Sequence, residues 1–182
     1  LHQDVEEGGV AVAGEVEQGD VFGSALASGD FNGDGRDDLA VGVPGEDVDG
    51  NTILRAGAVA IFYSAGSSGP RVSGNQLFAQ NTVGIPGSPA ADEFTGDALP
   101  AGDFDADGRD YLAVGHPEDQ NGGAASGSGL VLYGGSGGLD PADSQSWSAS
   151  AFGTTQSSAH SFGQALAAGN FDGDTEDDLV IG

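Results

Sequence analysis

The sequence predicts an all-β fold, a β-propeller of four-stranded antiparallel blades. Three observations predict it. One acidic ten-residue motif occurs three times at intervals of roughly 70 residues. The apolar stretches between its copies are short and bounded by Gly, Asp, Asn, Ser and Pro. No segment sustains the spacing of an amphipathic helix. Stacked four-stranded meanders of this kind are propeller blades.

The three copies are Asp30-Phe-Asn-Gly-Asp-Gly-Arg-Asp-Asp-Leu39, Asp103-Phe-Asp-Ala-Asp-Gly-Arg-Asp-Tyr-Leu112 and Asn170-Phe-Asp-Gly-Asp-Thr-Glu-Asp-Asp-Leu179. Their flanks repeat as well. Ser24-Ala-Leu-Ala-Ser-Gly29 returns as Gln164-Ala-Leu-Ala-Ala-Gly169 and more loosely as Asp97-Ala-Leu-Pro-Ala-Gly102. Downstream, Gly57 to Tyr63 aligns with Gly129 to Tyr133, and Gln76-Leu-Phe-Ala-Gln80 with Gln145-Ser-Trp-Ser-Ala149. In the first unit this places strands near Ala25 to Phe31, Leu39 to Val43, Ala58 to Ser64 and Gln76 to Gln80. Both faces of the third strand are apolar, so each sheet is expected to be covered on both sides. Leu1-His2-Gln3-Asp4 resembles the end of a fourth strand, and Gly182 falls inside a second strand. The expected organisation is about two and a half blades of a longer propeller. Residues 1–21 end one blade and connect to the next, 22–93 and 94–161 are whole blades with loops one and two, and 162–182 begin another with loop three.

Oxygen-bearing side chains at motif positions 1, 3 and 5 suit a hard cation that takes about six to eight oxygens. The candidate ligands are Asp30, Asn32, Asp34, the carbonyl of Arg36 and Asp38 in loop one; Asp103, Asp105, Asp107 and Arg109 in loop two; and Asn170, Asp172, Asp174, Glu176 and Asp178 in loop three. Glycines at the turn permit the left-handed backbone that curls such a loop around an ion. An Asx-rich hairpin that binds nothing is the alternative for one copy, and threefold recurrence argues against it. An EF-hand needs a carboxylate at position 12 and flanking helices; position 12 here is Val41, Val114 and Ile181, in strand-like surroundings. Loop one is the best formed. Loop two carries Tyr111 at position 9 and is expected to be the weakest, and loop three carries Thr175 where a positive φ is wanted.

Of 182 residues, 29 are Asp or Glu against 4 Lys plus Arg, for a formal charge of -25. Such a surface offers no basic patch for nucleic acid or anionic lipid, and no apolar run is long enough to span a bilayer. There is no Cys, which excludes disulfides, thiolate metal sites and a cysteine nucleophile. The acidity outside the loops also fits solubility in high salt.

These residues resemble the FG-GAP repeat of integrin α-subunit propellers and of many secreted microbial proteins. Phe22-Gly23 and Phe162-Gly163 match its first element, whereas Phe94-Thr95-Gly96 reads as carrying an insertion; Gly42-Val43-Pro44 and Gly115-His116-Pro117 match the second approximately. The resemblance implies a seven-bladed propeller with calcium between first and second strands, an extracellular or cell-surface location, and a role in adhesion or ligand binding.

No catalytic constellation stands out. His2, His116 and His160 are scattered and read as surface residues, and Gly134-Gly-Ser-Gly-Gly138 mimics a nucleophile elbow but reads as a hairpin loop. A non-catalytic binding module is therefore expected. A calcium-rigidified spacer or surface protein and an accessory domain of a secreted hydrolase are the alternatives. A protein or glycan ligand is expected on the face opposite the calcium loops, formed by Pro44 to Gly57, Pro117 to Gly129 and the connectors near Gly8 to Val21, Thr82 to Glu93 and Ala151 to Ser161, with Glu46, Asp47, Asp49, Glu118 and Asp119 favouring a basic or cation-bridged partner.

Overall fold

The computed structural model describes residues 18–120, 125–153 and 161–182. The stretch from Leu1 to Asp4, His2, His160 and parts of the named connectors lie outside them. Strands β1 (Leu26–Gly29), β2 (Asp38–Val43), β3 (Ala58–Phe62) and β4 (Gln76–Phe78) form an antiparallel sheet in that order. Strands β5 (Ala101–Gly102), β6 (Tyr111–His116), β7 (Ser128–Gly135) and β8 (Gly138–Ser148) form a second, and β9 (Leu166–Gly169) pairs with β10 (Asp178–Ile181). The described residues contain no α-helix and one short 3-10 turn at Ala149–Phe152. The chain is thus all-β, built from the meanders its repeats predict. In the first sheet β2 ends at Val43 as expected, whereas β1, β3 and β4 end sooner; β3 stops at Phe62 and the chain turns into a bridge between Ser64 and Pro70.

The main core lies between the two complete sheets. Phe31, Val59, Ile61 and Phe78 from the first meet Leu99, Leu112, Val114, Leu130, Leu132 and Leu139 from the second. Every residue of β3 is buried, as its two apolar faces require. Burying one such side chain stabilises by about 1.5–3 kcal/mol, so this face-to-face stacking dominates the fold's energetics. The second residue of each acidic motif measures how complete the stacking is. Phe31, covered by the second sheet, is 0% exposed, Phe104 is half-buried, and Phe171 on the two-stranded sheet is 62% exposed.

Two alignments change. Gly57 and Gly127 both take positive φ (81° and 77°) just ahead of β3 and β7. Gly42 faces Val59 as Gly115 faces Gly129, so the partner of Gly57 is Gly127 rather than Gly129. Likewise Val21 and Phe94 share a left-handed backbone (φ 55° and 54°) and are followed two residues later by Gly23 and Gly96 (φ 93° and 91°). Thr95 therefore stands in the place of Phe22, and nothing is inserted.

With Gly57 set against Gly127, the second sheet proves polar where the first is apolar. His116, Ser126 and Ser128 occupy the places of Val43, Ala56 and Ala58. His116 is not a surface residue: it is 2% exposed, with Nδ1 3.3 Å from Thr95 Oγ1 and no partner for Nε2. Burial pushes its pKa down to about 4, against the pull of Asp119.

Candidate metal centres

Antiparallel order alternates the loops between two faces. The β1–β2 loop holds the first acidic motif, and the β3–β4 loop lies beside it, because Ser64 donates its amide to Asp38 Oδ1 at 2.8 Å and its hydroxyl to the Asp37 carbonyl at 2.6 Å. On the other face the β2–β3 loop is laced to the connector that follows β4. Asn81 Nδ2 donates to Asp49 Oδ1 at 2.8 Å, the Asp92 amide donates to the Leu54 carbonyl at 3.0 Å, and Arg55 pairs with Asp92. Of the acidic residues expected to meet a ligand there, Glu46 and Asp119 are buried (3% exposed each); Asp49 is exposed, and Asp47 and Glu118 are partly so.

In loop one Asp30 accepts the amides of Asp34 (3.0 Å) and Gly35 (2.7 Å), and Asn32 Oδ1 accepts the Asp34 amide (2.9 Å). Gly33 and Gly35 supply the two left-handed residues (φ 72° and 81°) that this curl needs. Loop two repeats the pattern: Asp103 accepts from Asp107 (3.2 Å) and Gly108 (2.9 Å), Asp105 accepts from Asp107 (3.1 Å), and Ala106 takes the left-handed place of Gly33 (φ 57°). Its carboxylates converge, with one oxygen each from Asp103, Asp105 and Asp107 lying within 4.8 Å of one another. Arg36 and Arg109 direct Nη1 to Asp34 (3.1 Å) and Asp107 (2.7 Å). Loop three curls differently. Thr175 is absent from the left-handed residues, and Asn170 accepts the amide of Gly173, three residues on, at 2.6 Å instead of the amides four and five residues on. Asp172 accepts the Asp174 amide (3.1 Å), Asp174 accepts the Glu176 amide (2.9 Å), and Asp178 accepts the Phe171 amide (2.9 Å).

Position 9 separates loops one and two. Asp38 is 1% exposed, and its Oδ2 makes no hydrogen bond, the neighbouring Phe31 amide being turned to the Gly29 carbonyl. Burial, with Asp34 and Asp30 adding repulsion, pushes its pKa up to about 6. A buried, unsatisfied carboxylate oxygen in a loop that also carries Asp30 and Asp34 fits a hard cation, which would supply the missing positive partner, although among the described residues only the carboxylates of loop two converge on one point. In loop two the same place belongs to Tyr111, whose hydroxyl donates to Asp105 Oδ2 at 2.6 Å. Its ring is held edge-on between Phe104 and Tyr133 (centroids 6.1 and 4.7 Å away).

Position 8 was missed by sequence reasoning. Asp110 Oδ2 accepts the Asp30 amide at 2.7 Å while its own amide donates to the Asp30 carbonyl at 3.0 Å. Asp177 treats Asp103 the same way (3.2 and 2.8 Å). The signal was present, since Asp37, Asp110 and Asp177 recur at one motif position.

The FG-GAP repeat pattern matches residues 22–62, which contain loop one and the three strands around it. The chain carries an FG-GAP repeat. It is 30% identical over 93% of its length to integrin alpha-4 of Xenopus laevis, and 31% identical over 90% to integrin alpha-PS5 of Drosophila melanogaster. It is also 34% identical over 88% of its length to a phosphatidylinositol-glycan-specific phospholipase D of Rattus norvegicus. These matches span 15%, 15% and 18% of the respective relatives, so the chain corresponds to a small part of each.

The two elements that name the FG-GAP repeat meet in space. The amides of Gly23, Gly96 and Gly163 donate to the carbonyls of Gly42, Gly115 and Gly182 (2.9, 3.0 and 2.7 Å) within their own sheets. Across sheets the approach is closer still. A Cβ on Gly42 would lie 2.1 Å from the Gly96 carbonyl oxygen, and one on Gly115 would lie 2.2 Å from that of Gly163. FG-GAP glycines thus set the distance between blades, a function of missing side chains and not of backbone freedom alone.

Proposed function

We propose that this FG-GAP chain is a calcium-binding propeller module, extracellular or on a cell surface, that serves adhesion or ligand binding and performs no catalysis. The observation that carries the reading is Asp38 Oδ2, buried and without a hydrogen-bond partner, in a loop whose Asp34 and Asp30 repel its charge. Calcium would supply charge neutralisation and an oxygen-seeking centre around which the loop is fixed. Asp30, Asn32, Asp34, Asp38 and the Arg36 carbonyl would hold it in loop one, with Asp103, Asp105, Asp107 and the Arg109 carbonyl in loop two. Asn170, Asp172, Asp174, Asp178 and the Glu176 carbonyl would do so in loop three. Binding to the folded chain alone stabilises it. The likeness to integrin α-chains supports an adhesive setting, in which a protein or glycan ligand docks on the face opposite the metal loops. The test is calorimetric titration of the chelated chain with Ca²⁺ at moderate salt, together with its melting temperature. Binding and a calcium-dependent rise in melting temperature are expected, and Asp34→Ala should remove the loop-one share of both. Absence of binding, or an unchanged calcium effect in Asp34→Ala, rejects the assignment.

A second reading, an accessory module of a secreted hydrolase, is favoured by the match to the phospholipase D. Expression of the parent protein with and without this segment distinguishes the two: hydrolase activity that requires the segment supports the second.

A further inference from the structure

The geometry points to cation binding that is coupled from loop to loop through the position-8 aspartates, with Asp110 and Asp177 acting as positioning residues for the preceding loop's first ligand. This rests on the calcium reading above.

The contact is reciprocal and occurs twice. Asp110 holds both backbone polar groups of Asp30, and Asp177 both of Asp103. Asp30 and Asp103 are the residues around which their loops wind, each accepting two loop amides. A shift of Asp30 therefore displaces the first ligand and the curl together. On its own side, Asp110 directly follows Arg109, whose carbonyl is a candidate ligand of loop two, so an ion there fixes the peptide that carries the clasp. The sequence makes room for the clasp. Gly29 and Gly102 precede Asp30 and Asp103 without a positive φ, and a Cβ on either would lie 2.8 Å from Asp110 Oδ2 or Asp177 Oδ2. Arg109 lies across loop one, where a Cβ on Gly33 would come within 2.9 Å of its Nε. Asp37 holds the same motif position and is exposed, with no loop among the described residues on its far side. Carboxylates that neither face a candidate ion nor lie free at the surface thus have a defined task, which is to transmit the order of one loop to the next. Coupling of this type is mutual by thermodynamic necessity.

The test uses the full chain and Ca²⁺ alone, followed by the amide resonances of Gly35 and Gly108, which report loops one and two separately. Asp107→Ala, which removes a loop-two ligand, is expected to weaken Ca²⁺ at loop one about tenfold. Asp110→Ala should weaken loop one similarly, and adding Asp107→Ala to it should then have no further effect there. Asp110→Asn keeps an acceptor oxygen and should preserve the coupling, which a merely structural loss of charge would not. Asp177→Ala, in the more exposed two-stranded sheet, offers the same measurement at Gly108 if Asp110→Ala fails to fold. Binding at both loops with Gly35 indifferent to Asp107→Ala, or with the two substitutions acting additively, overturns the coupling and leaves the calcium reading standing. A titration that moves neither resonance overturns the calcium reading and the coupling with it.

Discussion

Tyr111 and Asp38 occupy the same place in successive blades, and they do opposite things to the acidic loop beside them. Asp38 adds a buried carboxylate that Asp34 and Asp30 repel, whereas the Tyr111 hydroxyl donates to Asp105 and relieves its charge. Tyr111→Asp should raise Ca²⁺ affinity at loop two by about tenfold or more, since it restores the ligand of loop one. It should also lower the melting temperature in chelator, because the ring packed against Phe104 and Tyr133 is lost. Calorimetry and melting in paired calcium and chelator buffers check both.

His116 makes the fold sensitive to acid. Its folded pKa, about 4, lies below its ordinary 6.5, so the unfolded chain binds the extra proton, and the stability this group contributes above pH 6.5 is lost as pH falls toward 4. His116→Val, the residue blade one uses at Val43, should raise the melting temperature at pH 5 by more than at pH 8. Equal shifts at the two pH values would show that repacking, not protonation, accounts for the change.

The close approach of Gly42 to the Gly96 carbonyl leaves no room for a methyl group. Gly42→Ala should cost about 3 kcal/mol, or roughly 6–12 °C in melting temperature. Gly137→Ala, in the β7–β8 turn with nothing within 4 Å and no left-handed φ, should be close to neutral in the same thermal melts.

Phe31 and Phe171 share a motif position but differ in cover, 0% against 62% exposed. Phe31→Ala should therefore destabilise by about 3–5 kcal/mol, and Phe171→Ala by less than ~0.5 kcal/mol. Urea titrations followed by the fluorescence of Trp147 read the difference.

The sheets, their order and the three acidic loops were legible because repetition and strand-length apolar runs are local properties of the sequence. What failed was non-local. His116 reads as a surface residue by polarity, yet it is buried, with Thr95, 21 residues away, beside its ring. Gly57 was aligned to Gly129 by matching apolar runs, when the left-handed turn residue Gly127 marks the true register. The clasps made by Asp110 and Asp177 leave no local mark, because their partners lie 80 and 74 residues away. Thr95 passed for an insertion because the shared feature of Val21 and Phe94 is a backbone angle, which residue identity does not display.

The seam between Gly42 and Gly96, and again between Gly115 and Gly163, is written in main-chain atoms. Such a joint does not ask which side chains its neighbours carry, and the first two complete sheets exploit that freedom, one lined at the same places by Val43, Ala56 and Ala58, the other by His116, Ser126 and Ser128. Each repeat can drift, specialise or be copied in tandem without renegotiating its border. The glycines act as a universal coupling, and the variety of the loops they leave free is what they make heritable.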